Sequence, residues 1–169
     1  MKTLKHLFLD LEDTIIFPVM NGWNDTHLVN VEKIKAFIAD FKPDQVHIFS
    51  FAIWNQRELK GFMNGTRMMI QDALGVKFTV VPTVDDDIIP RCCDMMGLNR
   101  STVDFQEMSN FWGKHEAFRL FVRSKLQTGW VKWKIESEVV LLDDAVWDEN
   151  FEWPDLHVKG RIINIDKMQ

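Results

Sequence analysis

The sequence has little cysteine and no long apolar run, and each shortage excludes a class of protein. The two cysteines, Cys92 and Cys93, are adjacent, so they do not form the loop-closing disulfide framework of a small secreted protein. We therefore expect a reducing, cytoplasmic setting. No apolar stretch approaches the length that crosses a bilayer. The first apolar run is broken by Asp10, which is too early for a signal peptide.

The chain also lacks an excess of positive charge. Its 20 Lys and Arg residues face 25 Asp and Glu residues, for a formal net charge of −5. This balance argues against a dedicated nucleic-acid-binding protein, although a local basic patch remains compatible with it. No internal repeat, low-complexity tract or linker divides the 169 residues. We predict a single domain over residues 1–169 with a sizeable core.

Short apolar runs alternate with helical patterns along the chain. Buried strands are predicted at residues 7–9, 46–49, 76–81, 138–142 and 161–165. Helical spacing predicts helices at residues 31–41 and 56–73, with Gly75 as a cap, and a further helix that begins at Lys114. Residues 83–112 are the least regular part. The alternation predicts βαβ units, and hence an α/β protein with a mainly parallel, Rossmann-like sheet.

Polar residues follow three of the predicted strands directly. Asp10 ends the first run, Ser50 follows the second, and Asp143 and Asp144 follow the run at 138–142. In open α/β sheets, ligands bind outside the carboxyl ends of the strands. These side chains are therefore the leading candidates for a functional site.

The same residues resemble the four motifs of the haloacid dehalogenase (HAD) superfamily of phosphohydrolases, in their usual order. The first motif is Asp10 to Thr14, the second ends at Ser50, the third is Lys114, and the fourth is Asp143-Asp144 with Asp148. The resemblance covers roughly residues 5–150. It implies a HAD core fold, while the motifs themselves say little about the substrate.

The resemblance implies a role for each matching residue. Asp10 would attack phosphorus and form an aspartyl-phosphate intermediate. The Thr14 hydroxyl would brace the loop. Ser50 would hydrogen-bond the transferring phosphoryl group, and Lys114 would neutralise the nucleophile and the phosphoryl oxygens.

The acidic residues are expected to bind Mg²⁺. Adjacent carboxylates at a strand end repel each other unless a cation or hydrogen bonds compensate. Asp144 and Asp148 match the spacing of acidic residues around Mg²⁺ in the family, and Asp10 and the Glu12 carbonyl would complete the set. Hard oxygen ligands of this kind suit Mg²⁺. The structural alternative, a helix N-cap, accounts for one of these aspartates but not for all of them.

Glu12 departs from the family pattern, which has an aspartate that protonates the leaving group and then activates water. Glutamate keeps the carboxylate but adds one methylene, while the backbone carbonyl is unaffected. A misplacement of about 1 Å at a reacting centre can cost on the order of a hundredfold in rate. We therefore expect Mg²⁺ binding to persist and acid–base catalysis to be altered.

The segments where the family places cap domains are short in this chain. Residues 15–27 read as a turn-rich loop, and residues 83–112 could hold only a small lid. An open site fits large, even macromolecular, phosphorylated substrates. The predicted function is Mg²⁺-dependent phosphomonoester hydrolysis.

The alternative is a catalytically impaired HAD scaffold that binds nucleic acid or a protein partner. Its surface would be the basic, Trp-bearing segment at residues 119–134, because positive charge interleaved with aromatic rings suits single-stranded nucleic acid. A solvated helix end with anchoring tryptophans explains the same residues. Asp85-Asp86-Asp87 reads as an acidic loop exposed to water rather than as a second metal site.

Overall fold

The computed structural model describes residues 2–17, 22–129 and 135–169. Its strands are β1 Leu4–Leu9, β2 Ile16–Phe17, β3 His27–Leu28, β4 Gln45–Ile48, β5 Phe78–Val80, β6 Ser137–Asp143, β7 Glu149–Trp153 and β8 Val158–Asn164. Its α-helices are α1 Val31–Phe41, α2 Gln56–Gly61, α3 Arg67–Leu74, α4 Ile89–Met96 and α5 Phe105–Gln127.

Six strands form one sheet in the order β5-β4-β1-β6-β8-β7. The pairings of β1 with β4 and β6, of β4 with β5, and of β6 with β8 are parallel. Strand β7 runs antiparallel to β8 at one edge. β2 and β3 form a separate two-stranded hairpin between β1 and α1. The predicted α/β class with a mainly parallel, Rossmann-like sheet is confirmed.

The strand order reverses at the centre of the sheet. From β1 the chain moves outward through β4 to β5, and then crosses to the other side of β1 to form β6. Crossover connections on either side of such a point leave a crevice outside the carboxyl ends of the two strands. The carboxyl ends of β1 and β6 therefore define the place where a ligand site is expected.

The core covers both faces of the sheet, as the apolar runs predict. Side chains alternate along β1, so that Phe8 packs with α4 and α5 on one face and Leu7 and Leu9 pack with α1 and α3 on the other. All three are almost fully buried. Burial on both faces explains why the central strands are continuous apolar runs rather than alternating ones.

Two helical predictions on the α1 and α3 face have different outcomes. Helix α1 begins and ends at the predicted residues, with Lys42 in the left-handed conformation after its last turn. The helix predicted at 56–73 is interrupted between α2 and α3, where Asn64 and Gly65 leave helical geometry. Gly75 closes α3 in the left-handed conformation and donates its N–H to the Gln71 carbonyl, as predicted.

The prediction that residues 83–112 are the least regular part of the chain is wrong, because most of them are helical. Thr83 accepts a hydrogen bond from the Asp86 N–H and caps a helical turn that leads into α4. Pro90 lies in the first turn of α4, where a proline needs no hydrogen-bond partner. The acidic residues at 85–87 favour the same helix start. Val84, Ile88 and Cys92 are buried in the core, so this segment packs onto the sheet as part of a helical layer.

Helix α5 contains a break that places Lys114. Gly113 has φ 68° and ψ 179°, a region that is essentially restricted to glycine. A Cβ at Gly113 would meet no atom within 4 Å, so the requirement for glycine comes from the backbone. Lys114 is the first residue of the helical stretch that follows, which agrees with the predicted helix start.

Candidate active site

Strand pairing brings the acidic residues of two distant segments together. Leu9 lies beside Leu142 in the register of β1 and β6, and the Asp10 N–H donates to the Leu142 carbonyl at 3.0 Å. Asp10 is therefore fixed next to the end of β6. Oxygen atoms of Asp10, Asp143 and Asp144 lie within 4.8 Å of one another.

Lys114 is the positive centre of this cluster. Its Nζ donates to Asp10 Oδ1 at 2.9 Å and lies 3.2 Å from Asp143 Oδ2. The second contact is an ion pair without an aligned hydrogen bond. The ammonium also lies 4.7 Å from the centre of the Phe51 ring, which favours the cation. A lysine in the first turn of a helix opposes the helix dipole, and these partners compensate for it.

The charged neighbours keep Lys114 protonated although it is buried. Burial alone would lower the pKa of Lys114, but Asp10 and Asp143 raise it above its ordinary value. The ammonium is therefore a fixed positive charge beside Asp10. It can neutralise a negative group that enters the cleft next to it.

Thr14 closes the turn that follows β1. Asp13 adopts the left-handed conformation at φ 60°, which reverses the chain and returns Thr14 toward the cluster. The Thr14 hydroxyl lies 3.3 Å from Asp10 Oδ2 and 3.3 Å from Asp144 Oδ1. Because the hydroxyl has one hydrogen, it donates to one carboxylate at a time. Its position between them connects the two acidic segments.

The carboxylates carry more negative charge than Lys114 balances. Burial raises the pKa of Asp10, Lys114 opposes this, and Asp143 adds to the increase. Burial, followed by the charges of Asp10 and Asp143, raises the pKa of Asp144 to about 6. Three crowded carboxylates against one ammonium leave room for a divalent cation, and their hard oxygen atoms are the ligand type of Mg²⁺. Asp10, Asp143 and Asp144 are the residues that can hold it.

Glu12 lies on the solvent side of the same cleft. It is exposed, yet the surrounding protein desolvates it in part, and this effect together with the charges of Asp10 and Asp13 raises the pKa of Glu12. A raised pKa keeps a larger share of the carboxyl group protonated near neutral pH. Glu12 can therefore give and take a proton beside Asp10.

Ser50 faces the cleft from the neighbouring strand. It is buried at the end of β4 and accepts a hydrogen bond from the Ala52 N–H at 3.1 Å. Among the described residues it donates no hydrogen bond, so its O–H can be donated to a ligand. Phe51, Ala52, Ser109, Asn110 and Ala145 add to a cleft of about 500 Å³ that holds the groups above.

Asp148 is not brought into the cluster. Its side chain is exposed, and its Oδ1 accepts a hydrogen bond from the Asn164 N–H at 2.7 Å. Metal ligation by Asp148 stays a prediction. The site residue that sequence reasoning underused is Asp143, which is almost fully buried. Its signal was present, because it is the first carboxylate after the apolar run of β6.

The two other charged segments are paired within the fold. Asp87 contacts Arg91 and Lys125, and the Asp86 side chain accepts from Gln56, so two of the three aspartates at 85–87 have partners within the fold. In the basic segment, Arg119 and Arg123 contact Glu149 and Asp155 respectively. Residues 130–134 of this segment, including both tryptophans, lie outside the described residues.

Within the described part of the chain, no helix is both long and apolar enough to cross a lipid bilayer. Comparison of the chain with protein-family models gives no match, and neither the curated proteins nor the solved structures give one. The assignment of function therefore depends on the geometry of the cleft and on the resemblance of its residues to the HAD motifs.

Proposed function

We propose that the protein is a HAD-type phosphohydrolase that hydrolyses phosphomonoesters with Mg²⁺. The observation that supports this most is the pairing of Asp10 with Lys114 at 2.9 Å, where the strand order reverses and two further aspartates lie close by. A buried carboxylate held by a lysine at the floor of an open cleft is placed to act as a nucleophile.

The reaction would proceed in two displacements. In the first, a carboxylate oxygen of Asp10 forms a bond to phosphorus while the bond from phosphorus to the ester oxygen breaks, and Glu12 gives its proton to the departing alkoxide. In the second, water attacks phosphorus, Glu12 takes a proton from that water, and the bond to Asp10 breaks. Inorganic phosphate leaves, and Asp10 is regenerated as a carboxylate.

The remaining groups of the cleft would bind the phosphoryl group. Lys114 balances negative charge on the phosphoryl oxygens, and the Ser50 hydroxyl donates a hydrogen bond to one of them. When bound, Mg²⁺ supplies further positive charge for the phosphoryl group. Thr14 contacts the Asp10 and Asp144 carboxylates and fixes their orientation, so that the Asp10 carboxylate stays directed at the phosphoryl group.

The alternative, a scaffold that binds a partner without turnover, has one observation in its favour. Glu12 replaces the aspartate of the family motif, and its longer side chain reaches solvent. The described basic residues Arg119 and Arg123 give it no support, because acidic neighbours already neutralise them. The hydrolase is therefore the function that the geometry favours.

A screen of phosphomonoesters with millimolar Mg²⁺ tests the proposal. Wild-type protein should release phosphate from at least one ester. Asp10→Asn should abolish release because an amide does not attack phosphorus, whereas Asp40→Asn, an exposed change on α1, should leave it intact. Activity that survives Asp10→Asn, or a screen with no active ester, would contradict the proposal.

The role of Glu12 is tested in the same assay. If its extra methylene misplaces the proton, Glu12→Asp should raise turnover by about ten- to a hundredfold, the contribution of a positioned proton-transfer group. If Glu12 is matched to a particular leaving group, Glu12→Asp should lower turnover on that ester. Equal rates for both forms would show that the extra methylene neither hinders nor favours turnover.

A further inference from the structure

Asn164, at the end of β8, contacts the loop that follows the acidic end of β6. In the strand register it lies directly beside Asp143. Its side-chain Nδ2 donates to the Asp144 carbonyl at 3.2 Å and to the Val146 carbonyl at 2.7 Å. One amide group therefore uses both of its hydrogens on a single loop that contains a candidate cation ligand.

The other polar atoms of Asn164 are also engaged. Its backbone N–H donates to Asp148 Oδ1 at 2.7 Å, and its Oδ1 accepts from the Asp166 N–H at 2.9 Å. The residue thus joins the start and the end of the loop at 144–148 to the last strand of the sheet. The acidic side chain of Asp148 is directed to this contact.

The loop needs such a restraint because the Asp144 carboxylate lies next to two other carboxylates that repel it. Asp144 is crowded by the charges of Asp10 and Asp143, and without a fixed backbone the loop could relieve the repulsion by moving away. Hydrogen bonds to the two carbonyls oppose that movement. Partners of this kind, which orient ligands without touching the metal, commonly affect metal affinity about ten- to a hundredfold.

We propose that Asn164 is a positioning residue that preorganises Asp144 for divalent cation binding, and that Asp148 fastens the same loop instead of ligating the cation. The inference rests on the cation site of the proposed function. It concerns the residues of this chain, and it is tested by cation affinity without any assay of turnover.

Asn164→Ser removes the two hydrogen bonds from the side-chain amide to the loop and leaves a side-chain acceptor for the Asp166 N–H. Serine caps a helix about as well as asparagine, so the contact with Asp166 can persist, but serine has no amide to donate to the two carbonyls. Asn150→Ser, an exposed change in β7, is the matched control. Mg²⁺ affinity is measured by titration calorimetry at a temperature where metal-free unfolding curves show every variant to be folded.

Asn164→Ser should weaken Mg²⁺ binding by about ten- to a hundredfold, with Asn150→Ser unchanged. Affinity in Asn164→Ser equal to that of the control would overturn the inference. Asp148→Asn keeps an oxygen acceptor for the Asn164 N–H and should bind Mg²⁺ nearly as well as wild type. A loss as large as that of Asp144→Asn would make Asp148 a ligand and would also overturn the assignment.

The outcome separates this inference from the proposed function. Wild-type protein that binds Mg²⁺ but hydrolyses no phosphomonoester would contradict the hydrolase and leave the positioning role intact. Hydrolysis by wild type, together with an unchanged Mg²⁺ affinity in Asn164→Ser, would support the hydrolase and contradict the positioning role. Wild-type protein that binds no Mg²⁺ would overturn both.

Discussion

Strand β1 connects two buried polar regions that deal with charge in opposite ways. Beyond its carboxyl end lies the acidic cluster of Asp10, Asp143 and Asp144, with the buried cation of Lys114. Near its other end His6 Nδ1 lies 3.2 Å from His47 Nε2 of the neighbouring strand, and the His47 Nδ1 lies 3.3 Å from the Thr79 hydroxyl. Both histidines are almost fully buried.

The histidine pair avoids charge. Burial, opposed by Asp44, lowers the pKa of His6 to about 4, and burial together with the nearby His6 and Lys125 lowers the pKa of His47 to about 3. Neutral rings can share a hydrogen bond, and His47 stacks on Phe8 with ring centres 4.6 Å apart. This region behaves as part of the core.

The acidic cluster, unlike the histidine pair, keeps charged groups in a buried position. Burial raises the pKa of Asp10 and of Asp144, but the fold adds an ammonium and opens a cleft beside them. Crowded ionisable groups with shifted pKa values are characteristic of functional sites. Burial alone therefore does not distinguish a functional site from the core. What distinguishes the cluster is repulsion that a ligand could relieve.

The two regions also respond to pH with opposite sign. Because the folded pKa values of the histidines lie below 6.5, their contribution to stability is present above that pH and is lost as the pH falls toward about 4 and 3. Because the folded pKa of Asp144 is raised from 3.8 to about 6, its contribution is present at low pH and is lost as the pH rises through about 6.

Removing the buried cation should have the largest effect on the acidic side. Lys114→Met leaves Asp10 and Asp143 without their partner, and breaking a buried ion pair costs about 3–5 kcal/mol. Metal-free urea unfolding near neutral pH should show this loss, and it should shrink in acid as the carboxylates protonate. Lys35→Met, at an exposed position of α1, is the control. A loss of stability no larger than that of the control would mean that the carboxylates of the cluster do not depend on Lys114 for charge compensation.

Removing a titrating histidine should flatten the acid limb of the stability curve. Each proton taken up only by the unfolded state changes stability by about 1.4 kcal/mol per pH unit. Below pH 6.5 the histidine pair should therefore lower the stability of wild-type protein, against the opposite effect of Asp144. The stability of His47→Gln should fall less, or rise more, over the same range. His27→Gln, at an exposed position, is the control for the replacement of a histidine. Equal slopes in all three proteins would show that the histidine pair does not govern acid unfolding.

Gly113→Ala should cost about 1–3 kcal/mol because alanine is strained in the backbone region that Gly113 occupies. Gly97→Ala is a matched comparison. Gly97 has φ 71° and ψ 25°, in the left-handed region that alanine reaches more easily, and neither glycine has an atom within 4 Å of an added Cβ. Thermal unfolding should rank Gly113→Ala below Gly97→Ala. The opposite ranking would remove the backbone argument for how Lys114 is placed.

Of these changes, Asp144→Asn should have the smallest effect on the free energy of unfolding of the metal-free protein, and it should stabilise the protein rather than destabilise it. It removes repulsion in the cluster and should stabilise by about 1 kcal/mol at a pH well above 6, once solvent screening of this partly exposed group is taken into account. It should also remove most of the stabilisation that Mg²⁺ gives to wild type. Destabilisation of the metal-free protein, or an undiminished response to Mg²⁺, would contradict the role of Asp144.

The parts of the fold that the sequence predicts are those with a local physical signal. The continuous apolar runs of β1, β4 and β6 indicate burial on both faces, and the polar residues after them indicate the site edge. Helix α4 was missed although its signals were present, because Pro90 and the acidic triplet were interpreted as loop residues rather than as the start of a helix. Strand β7 was missed because its side chains alternate between half-buried and exposed, so it has no continuous apolar run.

The site was predictable to the extent that it depends on strand ends. Asp10, Ser50 and Asp144 follow strands, and the parallel register brings them to one edge. The hydrogen bonds that join Asn164 to Asp148 and to the loop at 144–146 were not predictable, because they connect β8 to a loop some distance earlier in the chain. No spacing in the sequence reports such a contact, and metal ligation by Asp148, which the motif resemblance implies, stays a prediction.

Whether Asp10 takes up a phosphoryl group is tested by mass spectrometry of acid-quenched protein. Wild type, Glu12→Gln and Asp10→Asn are incubated with Mg²⁺ and an aryl phosphate, whose leaving group needs little help from an acid. We predict one phosphoryl group on Asp10, with more in Glu12→Gln because water is no longer activated for the second step, and none in Asp10→Asn. Hydrolysis by wild type with phosphate on another residue, or with no phosphorylated residue in Glu12→Gln, would contradict Asp10 as the nucleophile.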